Sequence, residues 1–198
     1  MLIGIVGKAQ SGKDTVAALM KDMFLEQHSM NFELVAFADY LKELCTKYFN
    51  LTYEQVYGDK KEWYDVDRPK VDGSCWNARE IMQFVGESVR SVDRNFWVKE
   101  LNRRIKGYDN VILTDVRHLN EFKYVKNNDG YVLNIQRENR KKIETNTHIS
   151  EVSLDRYESD SYDFVIVNSY TMNELKIVVE STVDMIIKLE ILKKTWGC

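Results

Sequence analysis

The chain opens on a continuous apolar run, Leu2 to Val6, that stops at Gly7. Gly12-Lys13 follows, and then Val16, Leu19, Met20, Met23 and Phe24 recur at helical spacing. A strand that is apolar at every position has no solvent-facing side, so it must lie inside a sheet covered on both faces. The helix after it fits a βαβ crossover, which pairs the first strand with later parallel ones.

The same grammar repeats down the chain. Glu33 to Phe37 predicts a second short strand, followed by a helix with Leu41, Leu44 and Cys45 on one face. Val111 to Thr114 is a third apolar run ending at Asp115, with a short helix around Leu119 to Val125 and a turn at 127–130. Tyr131 to Ile135 and Phe164 to Val167 are the last two strands, and Met172 to Lys193 reads as a long helix. The expectation is an α/β fold with a five-stranded parallel sheet and helices on both faces. Right-handed crossovers bring the loops that begin at Gly7, Ala38, Asp115, Gln136 and Asn168 to one edge of that sheet.

A length of 198 residues suits a single domain spanning 1–198. Within it, about 38–108 forms an insertion between the second and third sheet strands. Residues 50–76 are polar, aromatic and loop-rich, with Thr52 and Gln55 at capping-box spacing and the only proline, Pro69. Asn77 to Arg90 carries Ile81, Phe84, Val85 and Val89 at helical spacing, and a further helix is expected from Val92 to Ile105.

Lys+Arg 28 against Asp+Glu 31 gives a net charge of -3, which argues against a nucleic-acid partner. Cys45, Cys75 and Cys198 make neither a zinc spacing nor a disulfide framework and read as reduced thiols. No apolar run reaches the ~18 residues of a membrane span, so a cytoplasmic protein with no membrane partner is expected. His28, His118 and His148 show no metal-ligand spacing. The apolar positions of the last helix occupy more than one side, which fits deep burial or a homodimer seam.

Gly7-x4-Gly12-Lys13, between a strand and a helix, is the pattern of a phosphate-binding P-loop. Backbone N–H groups curl around an anion, the helix N-terminus adds a favourable dipole, and Lys13 brings a point charge. Asp14 stands where a Ser or Thr usually meets Mg²⁺, and Thr15 follows. A carboxylate is a suitable oxygen ligand for Mg²⁺, directly or through water. Asp115, closing its strand at the same edge, is the second expected metal carboxylate, with Arg117 two residues on. Arg68, Arg79, Arg90, Arg94, Arg117, Arg137 and Arg140 lie on segments between strands, where guanidinium groups can bind a second phosphorylated substrate. Arg79 and Arg90 share one face of their helix, about 16 Å apart by rise. Trp76 and Trp97 are the aromatic candidates for stacking on a base.

Five stretches together, GKAQSGKDT at 7–15, FADYLKE at 37–43, NAREIMQFVGESVR at 77–90, FW at 96–97 and LTDVRHLNE at 113–121, resemble the deoxynucleoside monophosphate kinase family, known best from large tailed bacteriophages. The resemblance implies the three-layer P-loop NTPase fold with an acceptor-binding insertion and a lid at about 137–151. It implies transfer of the γ-phosphoryl of ATP, with Mg²⁺, to a deoxynucleoside monophosphate. Gly7, Gly12, Lys13, Asp14 and Thr15 would hold the donor, with Arg140 and Asn168 beside it. Lys42, Arg79, Gln83, Arg90 and Trp97 would embrace the acceptor. Lys13, Arg137, Asp115 and Arg117 would carry the catalytic electrostatics. The chain departs from the family pattern at Tyr40, where a proline is common, and after Asn168, where Ser169 and Tyr170 replace a frequent glycine. Rival readings are a small P-loop kinase of dephospho-coenzyme A or phosphomevalonate, and a non-catalytic nucleotide-dependent binding module.

Overall fold

The computed structural model describes residues 1–137, 161–168 and 171–196. By internal packing the chain forms two units, one of Met1–Ala36 with Ile105–Cys198 and one of Phe37–Arg104.

The first unit is built on β1 (Leu2–Val6), β2 (Glu33–Val35), and three later strands that follow the insertion. The insertion itself contributes β3 (Tyr64–Pro69) and β4 (Cys75–Asn77), so the remaining sheet strands are β5 (Val111–Leu113), β6 (Tyr131–Gln136) and β7 (Phe164–Val167). All neighbours in this sheet are parallel, in the order β2-β5-β1-β6-β7. Its helices are α1 (Lys13–His28), α6 (Leu119–Asn127) and α7 (Met172–Trp196), numbered after α2 to α5 of the insertion.

Alternation along β1 shows how the helices cover the sheet. Ile3 and Ile5 enter a core with Val16, Met20 and Phe24 of α1 and Leu175, Val179, Val183 and Ile186 of α7. Gly4 points the other way, where a Cβ would press on Val125 of α6 and on Val116. One face therefore carries α1 and α7, and the opposite face carries α6. The five-stranded α/β sheet expected from the apolar runs is the observed one.

This order places a switch point at β1 and β5. They are adjacent, yet the chain leaves β1 into α1 on one face and leaves β5 towards α6 on the other. The crevice beyond their carboxyl ends is where open α/β sheets bind ligands. Among the described residues no helix is long and apolar enough to cross a membrane. On α7, Ile177, Met185, Leu189, Leu192 and Trp196 are exposed.

The second unit has its own core of Cys45, Leu51, Val56, Ala78 and Ile81, backed by Leu41, Leu44, Trp76, Met82 and Val85. It contains α2 (Ala38–Phe49), α3 (Tyr53–Val56), a 3-10 turn at Lys60–Glu62, α4 (Ala78–Val92) and α5 (Phe96–Arg104). Thr52 and Gln55 form the expected capping box on α3. Residues 50–76 are more ordered than their composition suggests. The antiparallel β3–β4 hairpin turns through Lys70 and Ser74, with Asp72 accepting from both the backbone N–H and the hydroxyl of Ser74. β3 is mostly exposed and β4 is only three residues long, so the alternation that reveals a half-buried strand is missing. The helix expected from Val92 begins only at Phe96. Asp93 ends α4 and accepts from the Asn95 N–H, which turns the chain before α5.

Candidate functional site: a phosphate loop at the switch point

β1 ends where its backbone must reverse into α1, and the glycines make that reversal possible. Gly12 has φ 96°, in the left-handed region, and is the N-cap of α1. A Cβ there would fall on the carboxamide nitrogen of Asn168. At Gly7 a Cβ would lie 2.6 Å from both the Ile135 carbonyl oxygen and the Ser11 hydroxyl. Only glycine fits either position without moving its surroundings. Gln10 is also left-handed, at φ 56°, and Ser11 N donates to the Lys8 carbonyl.

Lys13 starts α1 and is only 9% exposed. Its ammonium folds back over the loop and donates to the carbonyl oxygens of Gly7 at 2.7 Å and Lys8 at 2.8 Å. Asp14 and Thr15, the next two residues, are exposed on the first turn of the helix.

The loop after β5 runs directly beside β1. Thr114 N donates to the Val35 carbonyl and Val116 N donates to the Ile5 carbonyl, extending the sheet by one residue on each side of Asp115. Asp115 is thereby buried next to the end of β1. Glu121, in the first turn of α6 and 1% exposed, accepts from the backbone N–H groups of Arg117 at 2.8 Å and His118 at 3.0 Å. It fixes the backbone that carries Arg117. Its position three residues after the N-cap His118 is the sequence signal, that of a capping glutamate.

From the far side of the sheet, Asn168 closes the loop. Its backbone N–H continues the ladder to the Gln136 carbonyl, and its carboxamide donates to the Ser11 carbonyl at 2.8 Å. Arg137 is exposed at the end of β6. Arg140 and nearly all of the expected lid at 137–151 lie outside the described residues.

The first unit thus brings together Gly7, Gly12, Lys13, Asp14, Thr15, Asp115, Arg117 and Asn168. The residues suit a polyphosphate. The cradle is one that a Cβ would fill, and the hydroxyl of Ser11, 2% exposed, is buried with no hydrogen-bond partner among the described residues. Neither Ser11 nor Glu121 was singled out by motif alone as a working residue. For Mg²⁺ the donors available are hard carboxylate oxygens, at Asp14 and Asp115, which match that ion's preference. No group of three or more His, Cys, Asp or Glu among the described residues could hold a metal by itself.

The acceptor-side candidates lie in the second unit. Lys42 pairs with Asp39 at 3.5 Å and lies over the Tyr57 ring. Arg79 is ion-paired with Glu62 on its surface. Gln83 and Arg90 are half-buried on α4. Trp97 requires a correction as a stacking surface. It is 2% exposed, packs against Phe96 and Tyr40, and donates its indole N–H to the Gly86 carbonyl at 3.2 Å. Its hydrophobic area is spent locking α5 against α4. The open aromatic face on α4 is Phe84, 62% exposed and tilted against Trp76. Phe84 shares helical spacing with the buried Ile81, yet its ring stands on the surface.

A parallel sheet with a glycine–lysine phosphate loop at its switch point defines a P-loop α/β protein of the NTPase class. The model of the deoxynucleotide monophosphate kinase family matches residues 70–179, more than half of the chain. The chain belongs to that family, and is thereby a nucleotide kinase by class. It is similar to a protein of Acanthamoeba polyphaga mimivirus named "Putative deoxynucleotide monophosphate kinase", with 29% identity over 93% of this chain and 96% of that one. Among solved structures it is similar to dephospho-CoA kinase from Campylobacter jejuni, at 13% identity and a TM-score of 0.47, over 96% of this chain and 98% of that one.

Proposed function

We propose that this protein transfers the γ-phosphoryl group of ATP to a deoxynucleoside 5′-monophosphate, giving ADP and the deoxynucleoside diphosphate for DNA precursor supply. The observation that carries the reading is the ammonium of Lys13, which is bound to two loop carbonyls inside a glycine cradle. A family match that spans both units supports the acceptor class.

In this reaction an oxygen of the acceptor phosphate forms a bond to Pγ, and the bond from Pγ to the β–γ bridging oxygen breaks with its electron pair leaving on ADP. The acceptor oxygen is already anionic at neutral pH, so no general base is required. Catalysis rests on positioning and on neutralising charge around the transferring group. Lys13 exchanges its carbonyl partners for phosphate oxygens, which are stronger acceptors. Thr15 contacts an inner phosphate. Asp14 and Asp115 would hold Mg²⁺, which would supply neutralisation of phosphate charge. Arg117 and Arg137 stabilise the charge that spreads over the equatorial oxygens. Lys42, Arg79, Gln83 and Arg90 take the acceptor, and Trp76 with Phe84 offers its base an aromatic surface.

An ADP-release assay over a panel of monophosphates, each in ribo and deoxy form, tests the reading. Stimulation by one or more deoxynucleoside monophosphates is expected. Turnover only with dephospho-coenzyme A or phosphomevalonate, or with no acceptor at all, would overturn it.

A further inference from the structure

The side chain of Asn168 does not point into open space at the end of β7. Its carboxamide nitrogen donates to the Ser11 carbonyl at 2.8 Å, and the same nitrogen occupies the space a Cβ on Gly12 would need. Asn168 is itself held by the sheet, since its backbone N–H donates to the Gln136 carbonyl. A side chain anchored on the outer strand pair therefore grips the one peptide unit, Ser11–Gly12, that joins the glycine turn to α1.

That peptide is trans. In a trans peptide the carbonyl and the following N–H point in opposite directions. Pinning the Ser11 carbonyl against Asn168 therefore turns the Gly12 N–H away from Asn168 and fixes its direction. Gly12 is left-handed and has no side chain, so its own torsions do little to hold this plane. Ser11 N is tied to the Lys8 carbonyl on the preceding side, and Val16 N to the Gly12 carbonyl on the following side. The Asn168 carboxamide supplies the restraint between them.

We propose that Asn168 is a positioning residue that pre-orients the Ser11–Gly12 peptide for phosphate binding, acting through the loop and not through the nucleotide base. The inference rests on the reading of Gly7–Lys13 as the ATP phosphate site. Its chemical consequence is specific. Losing the carboxamide weakens binding of any polyphosphate chain, whether or not a base is attached.

Calorimetric titration of the full chain with inorganic tripolyphosphate and with ATP, for the wild type and Asn168→Ala, separates the possibilities. The expected result is a weakening of roughly three- to tenfold, the worth of one hydrogen bond, and by the same factor for both titrants. Asn168→Asp keeps the shape but sets an acceptor against the Ser11 carbonyl. It is expected to weaken both titrants further, and it carries the test should the alanine variant fail to fold. Weaker ATP binding with tripolyphosphate binding unchanged would overturn the proposal in favour of a base contact. Unchanged binding of both would overturn it outright. A wild type that binds neither titrant would remove the phosphate-site reading itself, a failure distinct from the other two. A merely structural role would lower the melting temperature while leaving tripolyphosphate affinity of the folded protein at its wild-type value.

Discussion

The ammonium nitrogen of Lys13 donates to the carbonyl oxygen of Gly7 at 2.7 Å, so the first residue of α1 closes the turn that begins at the end of β1. A lysine this deeply buried needs acceptors, and in the free protein the loop's own carbonyls serve. A phosphate oxygen competes with them because a charge-assisted bond is stronger than one to a neutral carbonyl. Lys13→Met keeps the length and removes the charge. The expected outcome is a fall in kcat on the order of 10²–10³-fold, the effect of losing one electrostatic stabiliser. A steady-state assay beside a thermal melt checks that activity is lost while the fold persists.

Glu121 offers one carboxylate oxygen to two backbone N–H groups, those of Arg117 and His118. Glu121→Ala leaves both donors without that acceptor in a buried place, at a cost of about 1–3 kcal/mol. Because the Arg117 backbone is then released, kcat should fall more than the KM for ATP rises. Glu121→Gln retains a carbonyl acceptor for both groups and should recover most of the stability. Denaturant unfolding with parallel kinetics separates the two variants.

Trp97 and Phe84 should behave in opposite ways. Trp97→Ala empties a core position and should destabilise the protein by about 3–5 kcal/mol. Trp97→Phe loses the hydrogen bond to the Gly86 carbonyl and should cost about 1–2 kcal/mol. Phe84→Ala should leave the melting temperature nearly unchanged and raise the KM for the monophosphate. Melting curves and acceptor-dependent kinetics on the three variants test this pairing.

Burial pushes the Cys45 thiol up from 9.0 to about 11. The native state therefore keeps its proton at a pH where the unfolded chain has released it, so the contribution to stability is complete below pH 9. It declines as the pH rises from there through about 11, by about 2–3 kcal/mol in all. Unfolding free energies at pH 8 and pH 10.5 should diverge more for the wild type than for Cys45→Ala. In the native protein Cys75, which is half-exposed, should react with a thiol reagent well before Cys45.

Much of the first unit is legible in the sequence alone. Each buried parallel strand is a local apolar run, and each is closed by a residue that breaks it: Gly7 after β1, Asp115 near the end of β5, Asn168 after β7. The hairpin of β3 and β4 was not legible. Its residues are mostly exposed, and what fixes it is a turn of polar contacts between Lys70, Asp72 and Ser74. The break between α4 and α5 was hidden for a related reason, since Asp93 acts through a hydrogen bond to the Asn95 N–H that helical spacing does not encode.

The sequence by itself determined the parallel α/β sheet, the phosphate loop and the position of Lys13 at the start of a helix. These follow from short-range patterns of apolar residues and glycines, which need no knowledge of distant partners. Only the tertiary structure decided which side chains finish the site. Asn168 reaches Ser11 across 157 positions of chain, and Trp97 turns its indole inward to Gly86 and not outward to a base. The reason is physical: a motif fixes the backbone through local conformational preferences, whereas the direction of a polar side chain is set by whichever buried donor or acceptor the fold brings within about 3 Å of it.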